Sequence, residues 1–124
     1  MRVLLVDDEM DLASALAERL DMRGIDTDWA TSAKQALEMA RNQQYDIAVL
    51  DVKMPKVGGL ELRDQLQERY PQMKFIFLTG YGSEMDFQKV VSRSNENCYM
   101  VKPIEIQDLI ELMNTLVPEK GAQQ

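Results

Sequence analysis

The sequence predicts an α/β fold, a doubly wound sheet of five parallel strands with helices on both faces. Three observations predict it. Short apolar runs recur at 3–6, 47–50 and 75–78, the pattern of strands buried on both faces. Between the runs, apolar residues fall three and four apart, the helical period. The two patterns alternate about five times, which implies right-handed crossovers and a parallel sheet covered on both sides.

The elements follow in order. Val3, Leu4, Leu5 and Val6 form a first strand, ended by Asp7, Asp8 and Glu9. Over 11–23, Leu12, Leu16 and Leu20 stand four apart with Ala13 and Ala17 beside them, and Gly24 sits where a helix C-terminus favours glycine. Segment 25–30 reads as a more polar strand nearer an edge. Thr31 or Ser32 then caps a helix running to about Asn42, with Ala33, Ala36, Leu37 and Ala40 inward. Ile47 to Leu50 form a third strand, and Asp51 stands at its tip.

Beyond Asp51 the backbone has to turn, because Pro55 donates no ladder hydrogen bond and Gly58 and Gly59 permit unusual backbone angles. Leu60, Leu62, Leu66 and Tyr70 suit a helix stopped by Pro71. A fourth strand ends at Thr79 and Gly80. A weaker helix follows over 83–93, then a polar stretch at 94–97. A fifth strand over 98–101 leads to Lys102 and Pro103, and Ile106, Leu109, Ile110, Met113 and Leu116 mark a last helix.

At 124 residues the chain suits one domain that buries roughly two thirds of its unfolded surface. No apolar run approaches the roughly 20 residues that cross a bilayer, and the start MRVLLVDDE is too short and acidic for a secretory leader. A cytoplasmic protein is expected. Cys98 is the only cysteine, so neither an intrachain disulfide nor a paired-thiol zinc site can form. A net charge of −7 opposes direct binding to a nucleic-acid backbone. The absence of histidine removes Ser/His/Asp and Cys/His catalysis and imidazole-ligated metals together. Chemistry here falls to carboxylate, hydroxyl and lysine.

Parallel strands point the same way, so their C-terminal ends share one edge of the sheet. Along that edge stand Asp7 and Asp8, Asp51, Thr79 and Lys102. If the first and third strands are neighbours, carboxylates converge within roughly 5 Å and each close pair repels by about 3 kcal/mol at an effective dielectric near 20. Such a cluster calls for a cation. Oxygen-only ligands favour a hard ion, and Mg²⁺ suits a site that also holds a phosphoryl group. An ionised aspartate can attack phosphorus with no base to activate it, given charge neutralisation and alignment.

Four motifs carry a resemblance over nearly the whole chain: VLLVDDE, VLDVKMPKVGG, FLTGYGS and YMVKP. In that order on those strand ends, the chain resembles a two-component response regulator receiver domain, of the CheY-like superfamily. The resemblance implies a flavodoxin-like strand order 2-1-3-4-5. It implies Asp51 as the phospho-acceptor, Asp8 and Asp51 as direct Mg²⁺ ligands, Asp7 acting through water, and the backbone carbonyl of Lys53 completing the set. Lys102 would pair with phosphoryl oxygens, and the peptide before Pro103 would be cis. Thr79 would donate to the phosphoryl group and move inward, letting Tyr99 turn from an exposed to a buried position.

By the same resemblance, the segment 83–93, the fifth strand and the last helix form an output face for an effector domain or partner protein, with a homodimer possible. The donor is a sensor histidine kinase or histidine phosphotransfer protein, since this chain lacks histidine. Residues 1–117 are read as the receiver domain and 118–124 as a tail or the start of a linker. Lys53 and Tyr81 are bulky where the family's hydrolytic water passes, so a long-lived phosphoryl group is expected.

Each feature also has an ordinary reading. Asp7, Asp8 and Glu9 could complement a helix dipole, Asp51 could favour a turn, and the nine methionines are most simply core filler. An enzyme alternative is a Mg²⁺-dependent phosphatase with an aspartyl nucleophile, but that chemistry wants Asp-x-Asp after the first strand. A flavodoxin-like nucleotide carrier wants a glycine- or serine-rich loop there, where three acids would repel phosphate instead.

Overall fold

A computed structural model describes residues 1–80 and 98–118. In chain order the elements are β1 (Arg2–Val6), α1 (Met10–Met22), β2 (Asp26–Ala30), α2 (Ala33–Asn42), β3 (Ile47–Asp51), α3 (Gly59–Arg69), β4 (Lys74–Thr79), β5 (Cys98–Val101) and α4 (Ile106–Leu116). The helix expected over 83–93, the stretch 94–97 and Tyr81 lie outside the described residues.

All five strands are parallel, in the order β2-β1-β3-β4-β5. The polar strand β2 is an edge, and β3 lies at the centre with all five residues buried. Alternation along each strand sorts the core into two layers. Leu4, Val6, Ala48, Leu50, Phe75 and Phe77 face α2 and α3. Val3, Leu5, Ile47, Val49, Ile76 and Leu78 face α1 and α4.

The helix ends explain how the chain re-enters the sheet. Ser32 Oγ accepts the Gln35 N–H at 3.1 Å and so caps α2. After α1 the backbone reaches φ 82 at Gly24, where Gly24 N–H donates to Asp21 and Ile25 N–H to Leu20, each at 3.0 Å. That paired closure needs a residue tolerant of positive φ, and it feeds Ile25 directly into β2. At the opening of the sheet, Asp46 N–H donates to the Arg2 carbonyl at 2.9 Å, while Arg2 N–H donates to Asp46 Oδ2 at 2.8 Å. Those two bonds hold β1 and β3 in register, which places their far ends side by side.

Candidate functional site

Asp7 directly follows β1 and Asp51 is the last residue of β3, whose Leu50 pairs with Val6. Neighbouring strands lie about 4.8 Å apart, so acids at their tips must meet. One carboxylate oxygen from each of Asp7, Asp8 and Asp51 lies within 4.8 Å of the others. Asp7 and Asp51 are buried, and Asp8 is exposed at the rim. The predicted convergence of acids is what the fold produces.

The loop after β3 holds the third of these acids in place. Val52 N–H donates to the Leu78 carbonyl at 3.0 Å, Lys53 N–H reaches Asp51 Oδ1 at 3.4 Å, and Gly59 N–H donates to the Val52 carbonyl at 3.1 Å. Val57 N–H closes on the Pro55 carbonyl at 2.8 Å around Lys56, whose φ is 69. This three-residue turn is a strained form for a residue with a side chain. The first turn of α3 then packs on the end of β3 itself. A Cβ at Gly58 would stand 2.9 Å from the Val52 carbonyl oxygen, and one at Gly59 would collide with the carbonyl of Asp51.

Lys102 comes from the far side of the sheet. Its N–H donates to the Thr79 carbonyl at 2.8 Å, its peptide to Pro103 is cis, and its side chain reaches back over the strand tips. The ammonium lies 2.8 Å from Asp7 Oδ2, 3.5 Å from Glu9 Oε1 and 3.7 Å from Asp51 Oδ2. Three carboxylates thus face one ammonium. Thr79 is fully buried at the end of β4 with its hydroxyl toward the Met100 carbonyl, 3.5 Å away. Tyr99 pairs in register with Phe77 and packs, partly buried, against the same core layer.

The electrostatics follow from this crowding. Burial first, then the negative charge of Asp7, push the Asp51 carboxyl up to about 7 against the opposing pull of Lys102. For Lys102, burial alone would lower the ammonium. The close Asp7 carboxylate and the charges of Asp51 and Glu9 outweigh burial and hold it above the usual lysine value.

Buried Asp7 Oδ2 has the Lys102 ammonium, 2.8 Å away, as its close partner. Three clustered carboxylates that share one ammonium, all offering oxygen, fit a hard divalent cation. A groove of about 750 Å³, lined in part by Tyr45, Tyr70, Met73 and Lys74, opens at the opposite end of the sheet and plays no part in this cluster.

The family model of the response regulator receiver domain matches residues 3–114. The chain belongs to the response regulator receiver family. Its relatives include the response regulator protein PilR of Pseudomonas aeruginosa, 31% identical over 114 residues that make up 92% of this chain and 25% of PilR. The transcriptional regulatory protein CpxR of Escherichia coli is 32% identical over 116 residues, 94% of this chain and 49% of CpxR. The chain therefore spans a quarter to a half of the length of these curated relatives. A response regulator receiver domain from Clostridium thermocellum has the same fold with a TM-score of 0.84 at 25% identity, over 99% of this chain and 98% of that one.

As a receiver, the chain is a phosphorylation-activated signalling switch, and the phosphatase alternative is not favoured. The strand order 2-1-3-4-5 expected from the resemblance is the one observed. Among the described residues, no helix is long and apolar enough to cross a membrane.

Two contributors to this site escaped the sequence reading. Glu9 stands out only as a third acid after Asp8, and its contact with Lys102 joins residues 93 positions apart. The close packing of Gly59 on the Asp51 backbone could have been suspected from the paired glycines opening a helix, a position where most residues have better helix propensity.

Proposed function

We propose that Asp51 of this receiver accepts a phosphoryl group from a phosphohistidine on a partner kinase or phosphotransfer protein. The observation that carries the reading is the convergence of Asp7, Asp8 and Asp51 with Lys102 Nζ 3.7 Å from Asp51 Oδ2. In the transfer, an Asp51 carboxylate oxygen forms a bond to phosphorus as the phosphorus–nitrogen bond of the donor breaks, and the electron pair leaves with the imidazole. Asp51 needs no base, because it reacts as the carboxylate.

Asp7, Asp8 and Asp51, with the Lys53 carbonyl, would hold Mg²⁺. When bound, the ion neutralises charge on the phosphoryl oxygens. Lys102 supplies a second positive charge from the β5 side. Thr79, one strand over, donates its hydroxyl to the phosphoryl group once it leaves the Met100 carbonyl. Tyr99, half-buried beside Phe77, responds to that movement, and β5 and α4, with segment 83–93 as the family resemblance implies, transmit it to an effector domain or to a second receiver. Residues 1–117 form the receiver. The protein works in the cytoplasm, where phosphohistidine donors and Mg²⁺ are available.

Incubation with acetyl phosphate and Mg²⁺, followed by intact-mass measurement, should show one added phosphoryl group that Asp51→Asn abolishes. Addition that persists in that variant would place the acceptor elsewhere. By the family resemblance Lys53 and Tyr81 occupy positions that flank the path of the hydrolytic water, so the combined variant Lys53→Asn, Tyr81→Ala should lose phosphate faster than the unsubstituted chain. Equal or slower loss would remove their shielding role.

A further inference from the structure

We propose that Glu9 is a positioning residue that holds Lys102 back from Asp51 while the acceptor is unmodified, and so limits how tightly the site takes a phosphoryl-like anion. The inference rests on the roles of Asp51 and Lys102 proposed above. Of the three acids around the ammonium, Asp51 is the farthest, at 3.7 Å, against 2.8 Å for Asp7 and 3.5 Å for Glu9. Lys102 therefore rests on the β1 side of the site.

Glu9 is built to keep it there. Its N–H donates to Asp7 Oδ1 at 2.9 Å, and its carbonyl accepts the Ala13 N–H at 3.0 Å as the opening bond of α1. The backbone is thus fixed beside Asp7, while the carboxylate, largely exposed, is the part left to reach over Lys102. Glu9 is not one of the three acids whose oxygens cluster for a cation. A cation shared by Asp7, Asp8 and Asp51 would occupy Asp7 and leave Glu9 as the acid still competing for the ammonium. An anion on Asp51 must then draw Lys102 away from Glu9. Exposed ion pairs are weak, so the competition is worth about two- to fivefold in anion affinity.

Beryllofluoride, a phosphoryl mimic, tests this by calorimetry with Mg²⁺ saturating for each variant. Glu9→Gln should tighten its binding about two- to fivefold. In a Lys102→Met background the same substitution should have no effect, because Glu9 acts through the amine. Unchanged or weaker binding in Glu9→Gln overturns the inference. So does equal tightening with and without Lys102, which would make Glu9 a direct electrostatic repellent of the anion. If the unsubstituted chain fails to bind beryllofluoride at all, the role of Asp51 falls and this inference with it. If it binds and Glu9→Gln changes nothing, only the role of Glu9 falls.

Discussion

At the tip of β3, Asp51 holds a proton more readily than an exposed aspartate does. Buried beside Asp7, its carboxyl is pushed up to about 7, so the folded chain binds that proton more tightly than the unfolded chain does. Between about pH 4 and pH 7 the folded state holds more protons, and without divalent cations stability should fall as pH rises through that window. The span from an ordinary aspartate to about 7 corresponds to at most about 4 kcal/mol, less whatever Lys102 and local rearrangement recover. Asp51→Asn should therefore raise the melting temperature at pH 7.5 and flatten its dependence between pH 4 and 7. An unfolding series in chelator at several pH values checks this, and a slope left intact in the variant would assign it to another group. This residue was legible in the sequence as an acid at the tip of a buried run. Its raised proton affinity was not, because that depends on how deeply the folded chain buries the carboxyl and then on the distance to Asp7.

At the scale of elements, the position of Asp51 depends on a helix that starts without side chains. Gly58 caps α3, Gly59 opens it, and the first turn of α3 packs against the backbone of Asp51 and Val52. Gly59→Ala should improve intrinsic helix propensity by about 1 kcal/mol, yet the added Cβ would collide with the Asp51 carbonyl. Overpacking of this kind typically costs about 1 to 3 kcal/mol, and here it displaces the acceptor. The variant should unfold at lower denaturant and take up phosphate from acetyl phosphate more slowly at saturating Mg²⁺. A variant as stable and as reactive as the parent would show that the loop yields without moving Asp51. Sequence periodicity located α3, and the paired glycines marked a turn. Which backbone atoms they make room for is decided by the return of the chain over β3.

Across the whole molecule, one edge of the sheet holds most of the unfavourable charge. The opposite edge is tied by compensating contacts: Arg2 bonds Asp46 through its N–H, its guanidinium lies 3.7 Å from Asp28, and Tyr45 donates its hydroxyl to Asp28 Oδ2 at 2.7 Å. Burial and that hydrogen bond push the Tyr45 phenol up, so it stays a donor throughout the working pH range. At the other edge one ammonium, Lys102, faces three acids, and a cation bound there would add a second link between the ends of β1 and β3. Added Mg²⁺ should raise the melting temperature, with about 2.7 kcal/mol of stabilisation at a hundred times its dissociation constant. Asp8→Asn should abolish most of that gain while leaving the metal-free protein folded, since Asp8 is exposed. A melting temperature insensitive to Mg²⁺ would rule out a cation at this cluster.

By itself the sequence determined the alternating strands and helices, the central place of β3, and the set of polar residues gathered at one edge. Periodicity and chain direction are local properties, and a parallel sheet then has only one end at which those residues can meet. Only the tertiary structure decided that Lys102 rests against Asp7 and Glu9 more closely than against Asp51, and that Gly59 lies on the acceptor backbone. Those outcomes turn on differences of less than 1 Å between competing charges, and on packed atoms brought together from distant parts of the chain.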